Sequence, residues 1–147
     1  MNAFYNLTVE QEPKPEDISF LQGQLTEFNQ AHRNHDRYQP LAIVLRDVEN
    51  NIVGGMTGGT YCDWLYVDTL WVKESIRRPG YGRALLAAAE QEAVQRGCKD
   101  AFLDTFSFQA PDFYQSQGYI VFGKLNDASS GQTRYFMRKS FFKTNGE

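Results

Sequence analysis

The residues of this sequence best suited to chemistry stand where an apolar strand gives way to a helix. The apolar run Leu65–Val72 is followed by a basic segment, Lys73–Arg83, and then by a helical pattern that ends at Gly97. The segment brings three arginines and two glycines to the helix start: Arg77, Arg78, Gly80, Gly82 and Arg83. Glycines let a backbone approach a ligand closely, and the first N–H groups of a helix attract anions. The pattern therefore predicts a site for a phosphate or pyrophosphate group.

Other interpretations of this segment explain less of it. A P-loop needs Gly-Lys and then Ser or Thr after four spacer residues, and the sequence has no such run. A dinucleotide motif is closer, since Gly80-Tyr81-Gly82 precedes a helix and Asp100 and Asp104 follow about 20 residues later. That motif needs its first glycine directly after the strand, whereas Lys73–Pro79 intervenes here. An ordinary helix start with solvated arginines would leave the combination of strand, glycines and arginines unexplained.

Two motifs in this region resemble a known family. Arg77-x-x-Gly80-x-Gly82 resembles the acyl-CoA-binding motif of the GNAT superfamily of N-acetyltransferases, and Leu70-Trp71-Val72 resembles the Leu-x-Val strand before it. Downstream, Ala110–Tyr119 (APDFYQSQGY) resembles the family's Ala-x-x-x-Tyr-x-x-x-Gly-Phe/Tyr segment. The resemblance extends from Val53 to Tyr119.

This resemblance implies acetyl-CoA as co-substrate, no metal, and direct acetyl transfer to an amine in a ternary complex. It implies that the strand at Leu70 splays from its neighbour, with the Leu70 backbone N–H as oxyanion donor. Tyr114 matches the tyrosine that protonates or hydrogen-bonds the departing sulfur. Ser107 stands where the family often has asparagine. The implied co-substrate contacts are Leu70, Trp71, Val72, Arg77, Arg78, Gly80, Tyr81, Gly82, Arg83, Ser107 and Tyr114.

The group that accepts the amine's proton stays open at this point. Asp68 lies in an apolar strand, where a carboxylate is costly unless it is used or paired. Asp104, in the next predicted strand, is the second candidate, and ordered water is the third. A noncatalytic acyl-CoA-binding or sensing module is the alternative to an enzyme. It would keep the arginine–glycine loop without an acceptor cleft, and the presence of Tyr114 favours the enzyme.

Hydrophobic periodicity predicts one α/β domain over residues 1–147. It has a mixed, mostly antiparallel, twisted sheet of six or seven strands flanked by helices. The predicted strands are Phe4–Val9, Leu41–Arg46, Ile52–Tyr61, Trp64–Val72, Asp100–Thr105, Tyr119–Lys124 and Arg134–Ser140. The predicted helices run from Asp17 or Ser19 to about His32, over Gly82–Arg96, and over a short turn after Pro111. In the second, Leu85, Leu86, Ala89 and Ala93 form the buried stripe, while Arg83, Glu90 and Gln95 point to water.

Amino-acid composition and net charge limit the classes of partner that we expect. A net charge of −3 and a pI near 5.4 argue against nonspecific nucleic-acid binding. No run of 18 apolar residues predicts a membrane span. Cys62 and Cys98 lack metal-ligand spacing, and the sequence starts without a signal-peptide pattern, so we expect a reduced, cytoplasmic compartment. The expected acceptor is a small-molecule or peptide amine, and the aromatic strand Arg134–Ser140, taken as a sheet edge, suggests a possible homodimer.

Overall fold

The protein, seen in a computed structural model, is described over residues 4–32 and 38–142, and each of these ranges belongs to its own compact unit. The first unit contains helix α1 (Pro15–His32), whose first turn carries Glu16 and Asp17. Carboxylates are stabilised there by the partial positive charge of the helix N-terminus. The predicted strand Phe4–Val9 is wrong, because these residues are not in strand conformation and pair with no strand of the described residues. The single-domain organisation stays a prediction.

Within residues 38–142, the second unit contains six strands, two α-helices and a short 3₁₀ helix. In chain order they are β1 (Gln39–Arg46), β2 (Ile52–Tyr61), β3 (Trp64–Val72), the 3₁₀ helix (Glu74–Ile76), α2 (Tyr81–Gln95), β4 (Asp100–Phe106), α3 (Pro111–Ser116), β5 (Ile120–Asn126) and β6 (Thr133–Ser140). The bounds of β2 and β3 agree with the predicted ones. Most ends of the other predicted strands and helices lie one or two residues from their observed positions. The mixed α/β fold class predicted from the sequence is confirmed.

The strands form one sheet in the order β1-β2-β3-β4-β6-β5. Its one parallel pair within the described residues is β3 with β4, as the strand–helix–strand pattern predicted. The other pairs are antiparallel. Strand β6 lies between β4 and β5, so the expectation that it is a sheet edge able to mediate a dimer is wrong. The edges are β1 and β5.

The core lies where α2 contacts β1, β2 and β3. The predicted stripe of α2 is buried there: Leu85, Leu86, Ala89 and Ala93. It packs against the inward side chains of the sheet, which include Met56, Leu65, Val67, Ala101, Leu103 and Met137. Small alanines on the helix let it approach the sheet closely, which fixes the position of the helix N-terminus relative to β3.

One side chain of α2 departs from its predicted environment. Arg83 and Gln95 are exposed as expected, but the side chain of Glu90 is only 14% exposed. Its carboxylate accepts hydrogen bonds from the Tyr119 hydroxyl and the Lys139 ammonium group. The prediction that Glu90 points to water is therefore wrong, because its partners come from distant parts of the chain.

A polar turn joins β5 to β6. The carboxylate of Asp127 accepts hydrogen bonds from the hydroxyls of Ser130 and Ser129, at 2.6 and 2.8 Å. These bonds favour the charged form and lower the pKa of Asp127 to about 2. The turn thus connects β5 to β6 where the two strands pair as neighbours.

Candidate active site

The site is a cleft that opens where β3 and β4 separate. The two strands pair in parallel only from Trp64↔Asp100 to Tyr66↔Phe102. Beyond Tyr66, β3 keeps its pairing with β2 but has no partner on its β4 side. A cavity of about 820 Å³ occupies the gap, within the size range of small-molecule sites, roughly 300–1,000 Å³. The splayed strand that the family resemblance implied is confirmed.

A β-bulge at Asp68 re-aims the end of β3. Thr57 pairs with Thr69 and Gly58 with Val67, so Asp68 is an extra residue without a partner on β2. Before the bulge, Leu65 and Val67 face the core; after it, Leu70 and Val72 do. An uninterrupted strand would have turned Trp71 inward, yet its side chain is 46% exposed. The bulge therefore decides which side chains at the end of β3 pack against the core.

The bulge depends on a glycine across the ladder. A Cβ placed on Gly58 would collide with the backbone carbonyl oxygen of Tyr66. Only a residue without a side chain permits this approach of the two backbones. The glycine-rich sequence of β2 thus contributes to the shape of the cleft.

The loop between β3 and α2 is held by its own contacts. Arg77 Nε donates a hydrogen bond of 2.8 Å to the carbonyl oxygen of Val72, which ties the loop back to the end of β3. Arg78 adopts a left-handed backbone conformation with φ 84°, which costs a residue with a side chain about 1–2 kcal/mol. Gly80, the N-cap of α2, has φ 95°. Strain of this kind persists where the surrounding structure fixes it, and it is frequent in ligand-binding loops.

Most of the predicted site residues meet at this cavity. It is lined by Asp68, Leu70, Trp71, Val72, Arg77, Arg78, Gly80, Gly82, Arg83, Asp104 and Tyr114 from the prediction. The N-terminus of α2 thus borders the same space as the end of β3 and the short helix α3. Arginine side chains and unpaired helix N–H groups at one end of the cavity suit a pyrophosphate.

Two predicted residues do not line the cavity. Tyr81 is the first residue of α2 and is 41% exposed. Ser107 lies past the end of β4, where its hydroxyl donates to Gln132 Oε1 at 2.7 Å and accepts from the Thr133 N–H at 3.1 Å. The serine therefore joins β4 to the start of β6, and its role as a co-substrate contact has no geometric support.

The prediction missed a group of residues between β4 and α3. Thr105, Phe108, Gln109, Ala110 and Phe113 line the cavity, as does Thr69 of β3. The side-chain oxygen of Gln109 accepts hydrogen bonds from the Phe106 N–H and the Thr105 hydroxyl, at 2.8 and 3.3 Å, and so closes this turn. The sequence signal for this turn was Gln109, a polar residue directly before the Ala110-Pro111 start of α3.

Tyr114 is buried in the wall of the cavity. Its side chain is 8% exposed, and its ring contacts Phe113 and Tyr119 edge-on, at centroid distances of 5.1 and 5.8 Å. No residue of the described chain forms a hydrogen bond with its hydroxyl. Burial disfavours the phenolate and raises the pKa of Tyr114 to about 12. The group is therefore a neutral hydrogen-bond donor at any ordinary pH.

The two candidate carboxylates have different surroundings. Asp104 forms an ion pair with Arg134, whose Nε lies 2.8 Å from Asp104 Oδ2. Asp68 is exposed at the bulge and lies two residues after Tyr66 on the same strand. Burial, followed by the charges of these two carboxylates, raises the pKa of Tyr66. The sequence analysis did not single out Tyr66, although it stands two residues before Asp68 on the same strand.

The described residues contain no candidate metal-ligand cluster and no membrane-spanning helix. Within residues 4–32 and 38–142, no group of three or more His, Cys, Asp and Glu side chains is arranged to hold a metal ion. In the same ranges, no helix has the length and apolar character needed to cross a membrane. Neither Cys62 nor Cys98 is among the residues that line the cavity.

Comparison with known proteins agrees with this geometry. The sequence matches the Acetyltransferase (GNAT) family over residues 1–119. An acetyltransferase of Agrobacterium fabrum (strain C58) is 38% identical over 117 residues, which cover 80% of this chain and 85% of that protein. The blasticidin-S acetyltransferase of Streptomyces morookaense is 38% identical over 89 residues, 60% of this chain and 65% of that protein.

A crystal structure from Agrobacterium tumefaciens has the same fold. It superposes with a TM-score of 0.88 at 34% sequence identity, covering 93% of this chain and 100% of the other. The family match spans most of the chain and includes both the arginine–glycine loop and the segment that carries Tyr114. The protein therefore belongs to the GNAT acetyltransferase family and is an acetyl-CoA-dependent N-acetyltransferase.

Proposed function

We propose that the protein transfers the acetyl group of acetyl-CoA directly to a primary amine of a small molecule, with both substrates bound in the β3–β4 cleft. The observation that carries this proposal is the separation of the two strands beyond Tyr66, because it opens one cavity between the arginine–glycine loop and Tyr114. A continuous cavity lets an amine reach the thioester without a covalent relay. Direct transfer also fits the absence of both cysteines from the residues that line it.

The pyrophosphate of acetyl-CoA would bind at the start of α2. Backbone N–H groups of that helix carry partial positive charge, and Arg78 and Arg83 line the same end of the cavity. Arg77 contributes chiefly by holding the loop, since its Nε is bonded to Val72. The pantetheine arm would then run along β3, whose backbone groups on the β4 side lack a strand partner.

The reaction needs a donor at each place where negative charge develops. The amine nitrogen forms a bond to the thioester carbon, and the carbonyl oxygen becomes an oxyanion that the Leu70 backbone N–H would stabilise. The C–S bond then breaks, and the sulfur leaves as a thiolate. The hydroxyl of Tyr114 would donate a hydrogen bond to that thiolate, because it is neutral, buried and without another partner in the described chain.

The proton lost by the attacking amine goes to Asp68 in this proposal. The carboxylate of Asp104 is already compensated by the Arg134 guanidinium at 2.8 Å, which makes it a poorer acceptor. Asp68 is exposed at the bulge, lines the cavity and has no ion-pair partner among the described residues. Ordered water between Asp68 and the amine would serve the same path.

A small cationic amine is the favoured acceptor class. The carboxylate of Asp68 lines the cavity without an ion-pair partner among the described residues, and it would attract an ammonium group before that group loses its proton. The name of the blasticidin-S acetyltransferase, 38% identical over 89 residues, points to a small-molecule acceptor in a relative. A protein or peptide amine is the competing class.

The test is an amine panel with acetyl-CoA, read as release of free thiol. The panel contains blasticidin S, aminoglycosides, polyamines and peptides with a free N-terminus. We expect turnover with at least one small cationic amine and a far lower rate with peptides. A reaction without amine measures background hydrolysis. If calorimetry detects CoA binding but no small cationic amine supports thiol release, or if the peptides react faster, the proposed acceptor class is wrong.

A further inference from the structure

A polar cluster is packed behind the cavity wall. The carboxylate of Glu90 lies 3.1 Å from the Tyr119 hydroxyl and 2.8 Å from Lys139 Nζ. The side chains of Glu90 and Lys139 are 14% and 26% exposed, and Tyr119 is 2% exposed. None of the three lines the cavity. The cluster therefore does not contact a substrate in the cavity. Any effect of the cluster on the reaction passes through the residues that line the cavity.

Tyr119 connects this cluster to Tyr114. Their rings meet edge-on at a centroid distance of 5.8 Å, and the Tyr119 N–H donates to the Tyr114 carbonyl oxygen at 3.0 Å. Lys139 adds a third contact, with its Nζ 5.7 Å from the centre of the Tyr119 ring. The ring of Tyr119 is thus held by its hydroxyl, its face and its backbone, and it forms one side of the pocket around Tyr114.

Buried polar groups are costly unless every partner is in place, and when satisfied they fix a single arrangement. An apolar core would have packed this position at least as stably. The three groups here come from α2, from the residue just before β5 and from β6, so they join elements far apart in the chain. Such a cluster is suited to setting the position of a neighbouring ring.

We infer that Glu90 is a positioning residue for the reaction: by anchoring the Tyr119 hydroxyl, it fixes the ring that aims Tyr114 at the departing sulfur. The inference rests on the proposed hydrogen bond from Tyr114 to the thiolate. Tyr119→Phe keeps the ring but removes its anchor. A misplacement of about 1 Å can cost on the order of 10²-fold in rate. For the smaller shift expected here, kcat should fall about tenfold, with KM for acetyl-CoA changed less than about twofold.

The decisive experiment is a double-mutant cycle measured in single turnovers. Tyr119→Phe should slow acetyl transfer when Tyr114 is present and should cause no further loss in Tyr114→Phe, because the hydroxyl being aimed is then gone. A purely structural role would lower the melting temperature without this dependence on Tyr114. Equal losses in both backgrounds would overturn the inference, since Tyr119 would then act independently of that hydroxyl.

Substitutions at Glu90 provide a second test of the positioning role. Glu90→Ala should match the loss of Tyr119→Phe, while Glu90→Gln, which keeps an oxygen to accept the Tyr119 hydroxyl bond, should recover most of the rate. Tyr135→Phe is the matched control: Tyr135 packs against the same core but contacts Lys124 through its ring. Its kcat should stay at the wild-type value. If Glu90→Ala does not fold, Tyr119→Phe and Glu90→Gln still complete the test.

The outcomes separate this inference from the proposed function. A slow Tyr114→Phe enzyme together with a normal Tyr119→Phe enzyme would overturn the positioning role and leave the role of Tyr114 intact. A normal Tyr114→Phe enzyme would remove the proposed role of Tyr114, and the positioning role with it.

Discussion

Replacing Tyr114 by phenylalanine removes one oxygen atom from the wall of the cavity. The edge-on ring contacts with Phe113 and Tyr119 should survive, because phenylalanine keeps the ring. The lost hydroxyl has no hydrogen-bond partner in the described part of the chain. Since no buried partner is left unsatisfied, the free energy of unfolding should be unchanged or slightly higher. Fold and affinity for acetyl-CoA should therefore be retained, and any effect should fall on kcat.

The pKa values set the expected size of that effect. Burial raises the pKa of Tyr114 to about 12, whereas an ordinary thiol has a pKa of about 8.5. Complete proton transfer from the phenol to the thiolate would thus be uphill by about 3.5 units, or about 5 kcal/mol. Donation of a hydrogen bond avoids this cost. A hydrogen bond to a charged group contributes about 1.5–3 kcal/mol, so Tyr114→Phe should lower kcat about 10- to 100-fold.

The assay is single-turnover acetyl transfer with a saturating amine, followed by the release of thiol between pH 6 and pH 10. The wild-type to variant ratio should be constant across this range, because the phenol stays protonated until the pH approaches about 12. Calorimetry of CoA binding controls for affinity. An unchanged rate would remove Tyr114 from the mechanism. A ratio that shrinks between pH 8 and 10 would show that the phenol ionises there and refute the argument from burial. A loss greater than about 10³-fold would indicate proton transfer in the transition state instead.

The remaining predictions concern the base, the loop and the β5–β6 turn. Asp68→Asn should lower kcat/KM by about 10²- to 10⁴-fold while CoA binding persists, whereas Asp104→Asn should lower it far less. A pH–rate profile of both variants measures this difference. Near-normal rates in both variants would leave water as the proton acceptor. Gly82→Leu should weaken CoA binding in calorimetry, because its side chain would extend toward residues that line the cavity, while Ala87→Leu on the exposed face of α2 should bind normally. Asp127→Asn should lower the melting temperature at pH 7. The difference should shrink as the pH falls from about 4 to below about 2, because the unfolded pKa is about 3.9 and the folded pKa about 2, so the carboxylate stabilises the fold above this range and loses that contribution as it becomes protonated in the folded state. A difference at pH 2 as large as that at pH 7 would contradict the last prediction.

Local patterns were sufficient for the elements around the site. The bounds of β2 and β3 could be predicted because apolar runs end at turn residues, and the parallel pairing of β3 with β4 follows from a helix placed between two strands. The position of the arginine–glycine loop at the start of α2 could be predicted because glycines, arginines and a helix start are adjacent in the sequence. Periodicity also predicted the buried stripe of α2. These properties depend on residues within one or two turns of each other.

Long-range pairing decided the rest. A strand exists only with a partner, and Phe4–Val9 has strand-forming residues but pairs with no strand in the part of the chain that the structure describes. The internal position of β6 depends on which strands meet, which its own residues do not specify. The same holds for Ser107, whose hydroxyl contacts groups 25 and 26 residues away.

Two features of the molecule show most clearly which properties depend on tertiary structure. The bulge at Asp68 exists because the backbone of β2 approaches β3 across a glycine, so alternation along β3 alone could not reveal that Leu70 and Val72, rather than Trp71, turn inward. Glu90 reads as a solvated helix residue, yet its carboxylate bonds to Lys139, 49 residues away. The sequence by itself determined the chemistry available to this protein, because residue types and their local order are written in it. Only the tertiary structure determined which carboxylate is compensated, which tyrosine is buried and which side chains share the cleft, because burial and charge pairing depend on neighbours that folding brings together.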